Sequence, residues 1–159
     1  MILGLVDRVS RGGGLLLSLA PMANGEIPGD QQALLREIGD WLKVNGEAIY
    51  DTRPWKVYGE GSNEKLMAER DGHTVWHFDK CTAEDIRFTR KGGNIYAIAM
   101  ARPLDGKLII KTLALQPVAS VTMLGVGPVS WSRTPEGLVI QMPVQRPSKY
   151  AYAFRIPLQ

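Results

Sequence analysis

Two regimes of hydrophobic patterning divide this chain. Ile2, Leu5, Val6 and Val9 recur at helical spacing until Gly12, Gly13 and Gly14 end the pattern, which predicts the tail of a helix. Leu15-Leu16-Leu17-Ser18-Leu19-Ala20 then forms a nearly continuous apolar run of strand length, as expected for a strand buried on both faces of a parallel sheet. Pro21 to Gly29, with two prolines, two glycines and Asn24, predicts a loop. A second helix follows, with Leu34, Leu35, Ile38, Trp41 and Leu42 on one face and Gln32, Arg36, Glu37, Asp40 and Lys43 mostly on the other. Asp30 sits in its first turn, favourable to the helix dipole, and Asn45-Gly46 predicts a left-handed stop. Helix, strand, helix is one repeat of an α/β architecture, and one repeat is not a domain.

After Tyr58 the pattern changes. Gly59 to Lys65 is polar and predicts a linker, and from about Ile86 short apolar segments alternate with turn residues. Predicted strands are Ile86–Thr89, Ile95–Ala101, Leu108–Leu115, Val118–Leu124, Val129–Arg133, Leu138–Met142 and Tyr150–Ile156. Lys91-Gly92-Gly93-Asn94, Asp105-Gly106 and Thr134-Pro135-Glu136-Gly137 supply turns between them. About seven strands at this spacing predict an antiparallel β-sandwich.

The chain has 159 residues, 45% of them hydrophobic and 22% charged, so a folded core is within reach and wholesale disorder is excluded. Its 19 basic and 16 acidic residues are dispersed, without the basic stripe that nucleic-acid binding needs, so no nucleic-acid partner is expected. Cys81 is the single cysteine, which rules out an intrachain disulfide. The longest apolar run, Leu15 to Pro21, falls short of the roughly 20 residues of a spanning helix, and Asp7 and Arg8 interrupt the N-terminal apolar stretch before a signal-peptide core could form.

Several residues carry a family resemblance. Leu5-Val6-Asp7, Val9-Ser10, Gly13 to Pro21, Ile27-Pro28, Gln31-Gln32, Ile38-Gly39, Trp41-Leu42, the run Val44-Asn45-Gly46-Glu47-Ala48-Ile49-Tyr50, Arg53-Pro54-Trp55 and Asp85-Ile86-Arg87-Phe88-Thr89 together resemble the C-terminal portion of the α-L-fucosidase family of glycoside hydrolases. The Asn-Gly-Glu-Ala-Ile-Tyr run with Arg-Pro-Trp behind it is the specific part; the strand pattern is not. Gly14, Ser18 and Ala20 depart from the Gly-Asn-Leu-Leu-Leu-Asn pattern usual in the family, while Trp55 and Tyr58 are retained. The resemblance implies an α+β chain, a helix-strand-helix remnant of a (β/α)8 barrel followed by an antiparallel β-sandwich. On that basis residues 1–60 form the barrel end, 61–84 a linker and 85–159 the sandwich.

The resemblance also implies retaining hydrolysis of terminal α-L-fucosides by an aspartate nucleophile and a carboxylic acid that protonates the leaving oxygen, two groups about 5 Å apart at the C-terminal face of a barrel. In the family these groups, and the histidines that bind the sugar, come from earlier strands, and none of those motifs occurs here. A closed barrel takes about 250 residues. The expectation is therefore a C-terminal fragment, inactive alone, with no catalytic residue, cofactor or metal of its own. It would meet α-L-fucosylated glycans only through a complete enzyme, with the upstream barrel fragment or a homo-oligomer as partner. Met22 and Asn24, on the loop after the barrel strand, are the candidate substrate contacts. The rival is a free-standing carbohydrate-binding or interaction sandwich. Family analogy suggests a periplasmic, extracellular or lysosomal location.

Other groupings read as structure. Gly12 to Gly14 precede a strand, the wrong order for a phosphate loop. His73, His77 and Cys81 have helical ligand spacing, but Thr74, Val75, Trp76 and Phe78 favour a strand that would scatter them. Glu37, Asp40, Asp51, Glu60, Glu84 and Asp85 read as ordinary acids, and Ser10, Ser18 and Ser130 lack a nucleophile elbow. Trp41 reads as core, and Trp55 and Trp131 as packing between barrel and sandwich rather than sugar-stacking surfaces.

Overall fold

The computed structural model describes residues 1–61, 67–70 and 73–158, with strands 67–70 and 73–76 described by their backbone alone. Two helices, α1 (Ile2–Ser10) and α2 (Gly29–Asn45), precede strands β1 (Arg53–Glu60), β2 (Met67–Arg70), β3 (His73–Trp76), β4 (Ile86–Lys91), β5 (Asn94–Ala99), β6 (Lys107–Ile110), β7 (Thr122–Met123), β8 (Gly127–Pro128), β9 (Trp131–Thr134), β10 (Gly137–Gln141) and β11 (Tyr152–Pro157). A six-stranded sheet in the order β1-β4-β5-β11-β7-β8 faces a three-stranded sheet β6-β10-β9, and β2 and β3 pair as a separate hairpin. Every strand pair is antiparallel, as the α+β expectation requires.

Strand alternation sorts the large sheet's side chains onto two cores. Ile86, Phe88, Ile95, Ala97, Phe154 and Ile156 face inward and meet Leu108, Ile110, Leu138 and Ile140 of the small sheet. Tyr96, Ile98, Ala151 and Ala153 face the other way and pack against Ile2 and Val6 of α1 and Trp41 of α2. The molecule thus has three layers: helices, large sheet, small sheet. Burial on both faces explains why β5 reads as one apolar run.

Each predicted strand of the sandwich has a counterpart, some of them trimmed. Gly92-Gly93 makes a two-residue turn between Lys91 and Asn94, with Gly92 at φ +57°. The stretch 108–115 stops pairing at Ile110 because residues 111–113 wind into a 3-10 turn. The stretch 118–124 keeps only an isolated bridge from Val118 to Leu158 and the two residues of β7.

Three local expectations are corrected. Residues 15–20 form no strand. Leu16 is 97% exposed, and among the described residues no backbone hydrogen bond joins 15–19 to another segment. A parallel strand exists only as part of a ladder, and no strand pairs with it here. Gly46 is not a left-handed stop; its φ of −60° is right-handed, the chain continues through a 3-10 turn at Gly46–Ala48, and the positive φ falls on Asp51 at 59°. Gly46 is needed for space, since a Cβ there would lie 2.8 Å from the Tyr50 ring. Finally, Gly59 and Glu60, expected to open a linker, instead end the strand Arg53–Glu60, which pairs with β4 across a bulge between Pro54 and Gly59; residues 62–66 of that expected linker lie outside the described residues.

Candidate functional site

The segment from Gly13 to Pro28 is built on α2. Gln31, in the first turn of that helix, accepts the Ala20 N–H on Oε1 at 3.0 Å and donates Nε2 to the Ala20 carbonyl at 3.4 Å. A side-chain amide thereby does for Ala20 what a neighbouring strand would do. Leu15, Leu17 and Leu19 are half-buried, and Leu16, Ser18 and Ala20 point outward. The loop beyond closes on itself: Met22 N–H donates to Glu26 O at 2.8 Å and Gly25 N–H to Met22 O at 2.9 Å, with Gly25 at φ +83°. Asn24 holds Glu26 twice, donating Nδ2 to Oε2 at 2.9 Å and accepting the Glu26 N–H on Oδ1 at 3.1 Å. Met22 and Asn24 therefore sit on one pre-formed exposed loop, at the end of an apolar segment with unpaired backbone.

What holds this segment in place is the attachment of α1 and α2 to the large sheet. Trp41 donates its indole N–H to Ala151 O at 3.0 Å, and Asn45 bridges Trp41 O to the Ala153 N–H. Thr89 donates Oγ1 to Ala48 O at 2.8 Å. Glu47 accepts from Tyr96 Oη at 2.9 Å and from Arg155 Nη1 at 3.2 Å. Burial, then that hydrogen bond to Glu47, push the Tyr96 hydroxyl up to about 12. On α1, Asp7 Oδ1 accepts from Arg87 Nε at 2.6 Å and Oδ2 from Arg11 Nε at 3.0 Å, with Arg87 fully buried. The Arg11 and Arg87 guanidiniums also lie over the Tyr58 ring, 4.0 and 5.7 Å from its centre. Asp7 and Arg87 both lie in runs that carry the family resemblance, and nothing in the periodicity marks them as partners.

Among the described residues, most of the candidate acids are spent on structure. Glu60 accepts the Lys111 and Thr112 N–H groups at 2.9 and 2.7 Å and so caps the 3-10 turn that ends β6. Asp85 Oδ2 accepts the Thr82 N–H at 2.8 Å, Asp40 pairs with Lys43 at 2.7 Å, Asp51 with Lys91 at 3.4 Å, and Glu37 accepts the Tyr150 hydroxyl. Glu84 is exposed. Ser10 caps Asp7 O at 2.7 Å, Ser18 points outward, and the Ser130 carbonyl accepts the Gln141 N–H. An open groove of about 1070 Å³ runs from Glu60 and Cys81 past Arg102 to Ile109. Burial, then the Asp85 carboxylate, push the Cys81 thiol up to about 11, so it stays protonated and poorly nucleophilic near neutrality.

His77 and Cys81 flank a 3-10 turn at Phe78–Lys80, so the helical spacing is not realised, and the side chain of His73 lies outside the described residues. Among the described residues no three His, Cys, Asp or Glu side chains could hold a metal ion, and no helix is long and apolar enough to cross a membrane. Trp55 packs edge-on against Phe88, ring centres 5.3 Å apart, and Trp131 lies against the same core.

Comparison with known proteins converges on one family. The family model "Alpha-L-fucosidase" matches residues 1–47 and the model "Alpha-L-fucosidase C-terminal domain" residues 79–157. The chain is 32% identical to an alpha-L-fucosidase of Branchiostoma floridae, across 96% of this chain and 31% of that protein. It is 35% identical to the tissue alpha-L-fucosidase of Homo sapiens, across 91% of this chain and 27% of that one. The Thermotoga maritima alpha-fucosidase crystallised with a mechanism-based inhibitor superimposes with a TM-score of 0.75 at 28% identity, covering 98% of this chain and 33% of that chain. The chain thus spans about a third of the length of these relatives.

Proposed function

Because the chain belongs to the α-L-fucosidase family, we propose that it supplies the last barrel strand, the last barrel helix and the C-terminal sandwich of a retaining enzyme that hydrolyses terminal α-L-fucosides, and that by itself it is inactive. In this reading residues 1–60 carry the barrel end, 61–84 the link and 85–159 the sandwich, with β1 fastening the first to the third. Leu15–Ala20 becomes the closing strand once earlier barrel strands lie beside it, and Met22 and Asn24 then face the sugar at the strand's C-terminal end.

One observation supports this above the others: an apolar segment of strand length, held at Ala20 by Gln31 and otherwise without a ladder, ends in a pre-formed loop. Such a segment suits a position between two parallel neighbours and exposes backbone groups without them. Among the described residues the candidate acids are held in other roles. Retaining hydrolysis needs one ionised and one protonated carboxyl converging on a single bond, whereas Glu60 caps a turn with both oxygens.

The test is hydrolysis of an aryl α-L-fucoside. The purified chain is expected to give no turnover above buffer, and addition of a polypeptide carrying the preceding barrel strands of a family member should bring turnover and a stable complex on size exclusion. Clear hydrolysis by the pure chain would overturn the proposal.

A further inference from the structure

A second cleft, of about 510 Å³, lies between the outer face of α2 and the loop that leads into β11, lined among others by Arg36, Trp41, Arg146, Pro147, Lys149 and Tyr150. Its loop wall is anchored at three points. Arg102 donates Nη2 to Pro143 O, Tyr150 donates its hydroxyl to Glu37, and Pro147 lies over Gly125, where a Cβ would come within 3.1 Å of its ring. Arg146 precedes Pro147 and Lys149 precedes Tyr150, so each adjoins one of these anchors. Arg36 faces them from α2 with one nitrogen on Gln32 Oε1 at 3.0 Å and further N–H donors left over.

The lining carries three cations and two carboxylates. Among the described residues none of Arg36, Arg146 and Lys149 is in an ion pair, whereas Asp40 is paired with Lys43 and Glu37, still charged, holds the Tyr150 hydroxyl on its Oε1. The three cations come from two separate elements and meet around one concavity of ligand size. A planar carboxylate is satisfied by a single guanidinium, while a tetrahedral oxyanion offers acceptors in several directions at once.

We infer that this cleft is a binding site for a tetrahedral oxyanion, taken either as the free ion or as a sulfate ester on a sugar. The pivot is its floor. Trp41 is buried beneath the cleft and fixed by its indole N–H to Ala151 O, so occupancy is reported by that N–H resonance. The oxyanion site stands apart from the fucosidase assignment, because neither barrel nor catalytic acids enter it; the choice of a sugar as carrier rests on that assignment.

The experiment titrates the full chain at low ionic strength with inorganic sulfate, with a sulfated fucose and with unsulfated fucose, following the Trp41 indole N–H by NMR. The expected result is a saturable shift with sulfate or with the sulfated sugar and none with fucose, weakened when salt is raised from about 10 to about 150 mM. The sulfated sugar binding tighter than inorganic sulfate would identify the ester as the ligand; equal binding would identify the free ion. The double variant Arg146→Gln/Lys149→Gln, both exposed positions, should keep the melting temperature and lose affinity about tenfold. Unsulfated fucose binding as well as its sulfated form, no saturable shift with either oxyanion, or an unchanged affinity in the double variant would each overturn the inference.

Discussion

Replacing Asp7 by alanine is the sharpest perturbation of the attachment between α1 and the sandwich. Asp7 and Arg87 are both buried, and their 2.6 Å contact joins residues 80 positions apart. Removing the carboxylate takes from the buried Arg87 guanidinium its 2.6 Å charged acceptor, a contact of a different strength from its hydrogen bonds to the Glu60 and Ile86 carbonyls at 3.3 and 3.2 Å. Breaking one side of a buried ion pair costs about 3–5 kcal/mol. For a domain of this size each kcal/mol shifts melting by about 2–4 °C, so the expected fall is roughly 6–20 °C. Arg11→Ala removes the outer partner, whose side chain is 35% exposed, and should cost about 1 kcal/mol or less. The double variant Asp7→Ala/Arg87→Met should be more stable than Asp7→Ala alone, because it removes the buried guanidinium along with the carboxylate. Urea unfolding followed by circular dichroism and tryptophan fluorescence measures all three, with a constant slope as the check on cooperativity. A loss under about 1 kcal/mol for Asp7→Ala, or a double variant no more stable than Asp7→Ala, would refute the reasoning.

Other outcomes follow from the same geometry. Leu16→Glu should leave melting of the isolated chain within about 0.5 kcal/mol of the parent, since the side chain is 97% exposed, while abolishing complex formation with a complementary barrel polypeptide on size exclusion; a large loss of stability would mean the segment is already packed. Gly46→Ala should cost about 1–3 kcal/mol from the clash with the Tyr50 ring, and Tyr50→Ala, at a residue 57% exposed, should relieve most of it in the double variant's thermal melt. Cys81, raised from 9.0 to about 11, should carry on the order of 100-fold less thiolate at pH 8 than an unperturbed thiol, and iodoacetamide should label it correspondingly slowly. Its contribution to stability is intact below pH 9 and is lost as pH rises through about 11, which a pH series of urea melts on the parent and Cys81→Ala would detect.

The legible parts of this fold are those whose environment lies within the chain. Ile86-Arg87-Phe88-Thr89 and Ile95 to Ala99 are strands between two cores, and turn residues such as Gly92-Gly93 punctuate them, so periodicity and turn chemistry agree. The edge strand β1 was illegible because Arg53-Pro54 and a bulge break its alternation, which an edge tolerates and a central strand does not. Leu15–Ala20 was misjudged for a different reason. Its composition reports the surroundings it suits, both faces apolar, and cannot report whether those surroundings are present. Asp7 and Glu60 were illegible as a strut and a cap because both roles are set by residues far along the chain, Arg87 in one case and the 111–113 turn in the other.

The run that most distinctly marks the family, Asn45-Gly46-Glu47-Ala48-Ile49-Tyr50, serves attachment at Asn45, Glu47 and Ala48 and its own local shape at Gly46 and Ile49. Asn45 bridges the helix end to β11, Gly46 makes room for Tyr50, Glu47 takes Tyr96 and Arg155, Ala48 accepts from Thr89, and Ile49 accepts from Thr52. A specific motif need not be a chemical one. By fixing where α2 ends, it fixes the orientation of the helix whose first turn holds Ala20 through Gln31. The sandwich therefore sets the position of the Met22–Glu26 loop from the far end of α2, some 16 helical steps or roughly 25 Å away. In the complete enzyme proposed above, a helix so anchored would present residues 15–20 to a barrel without that barrel having to supply the rigidity, which would give the sandwich a mechanical role there.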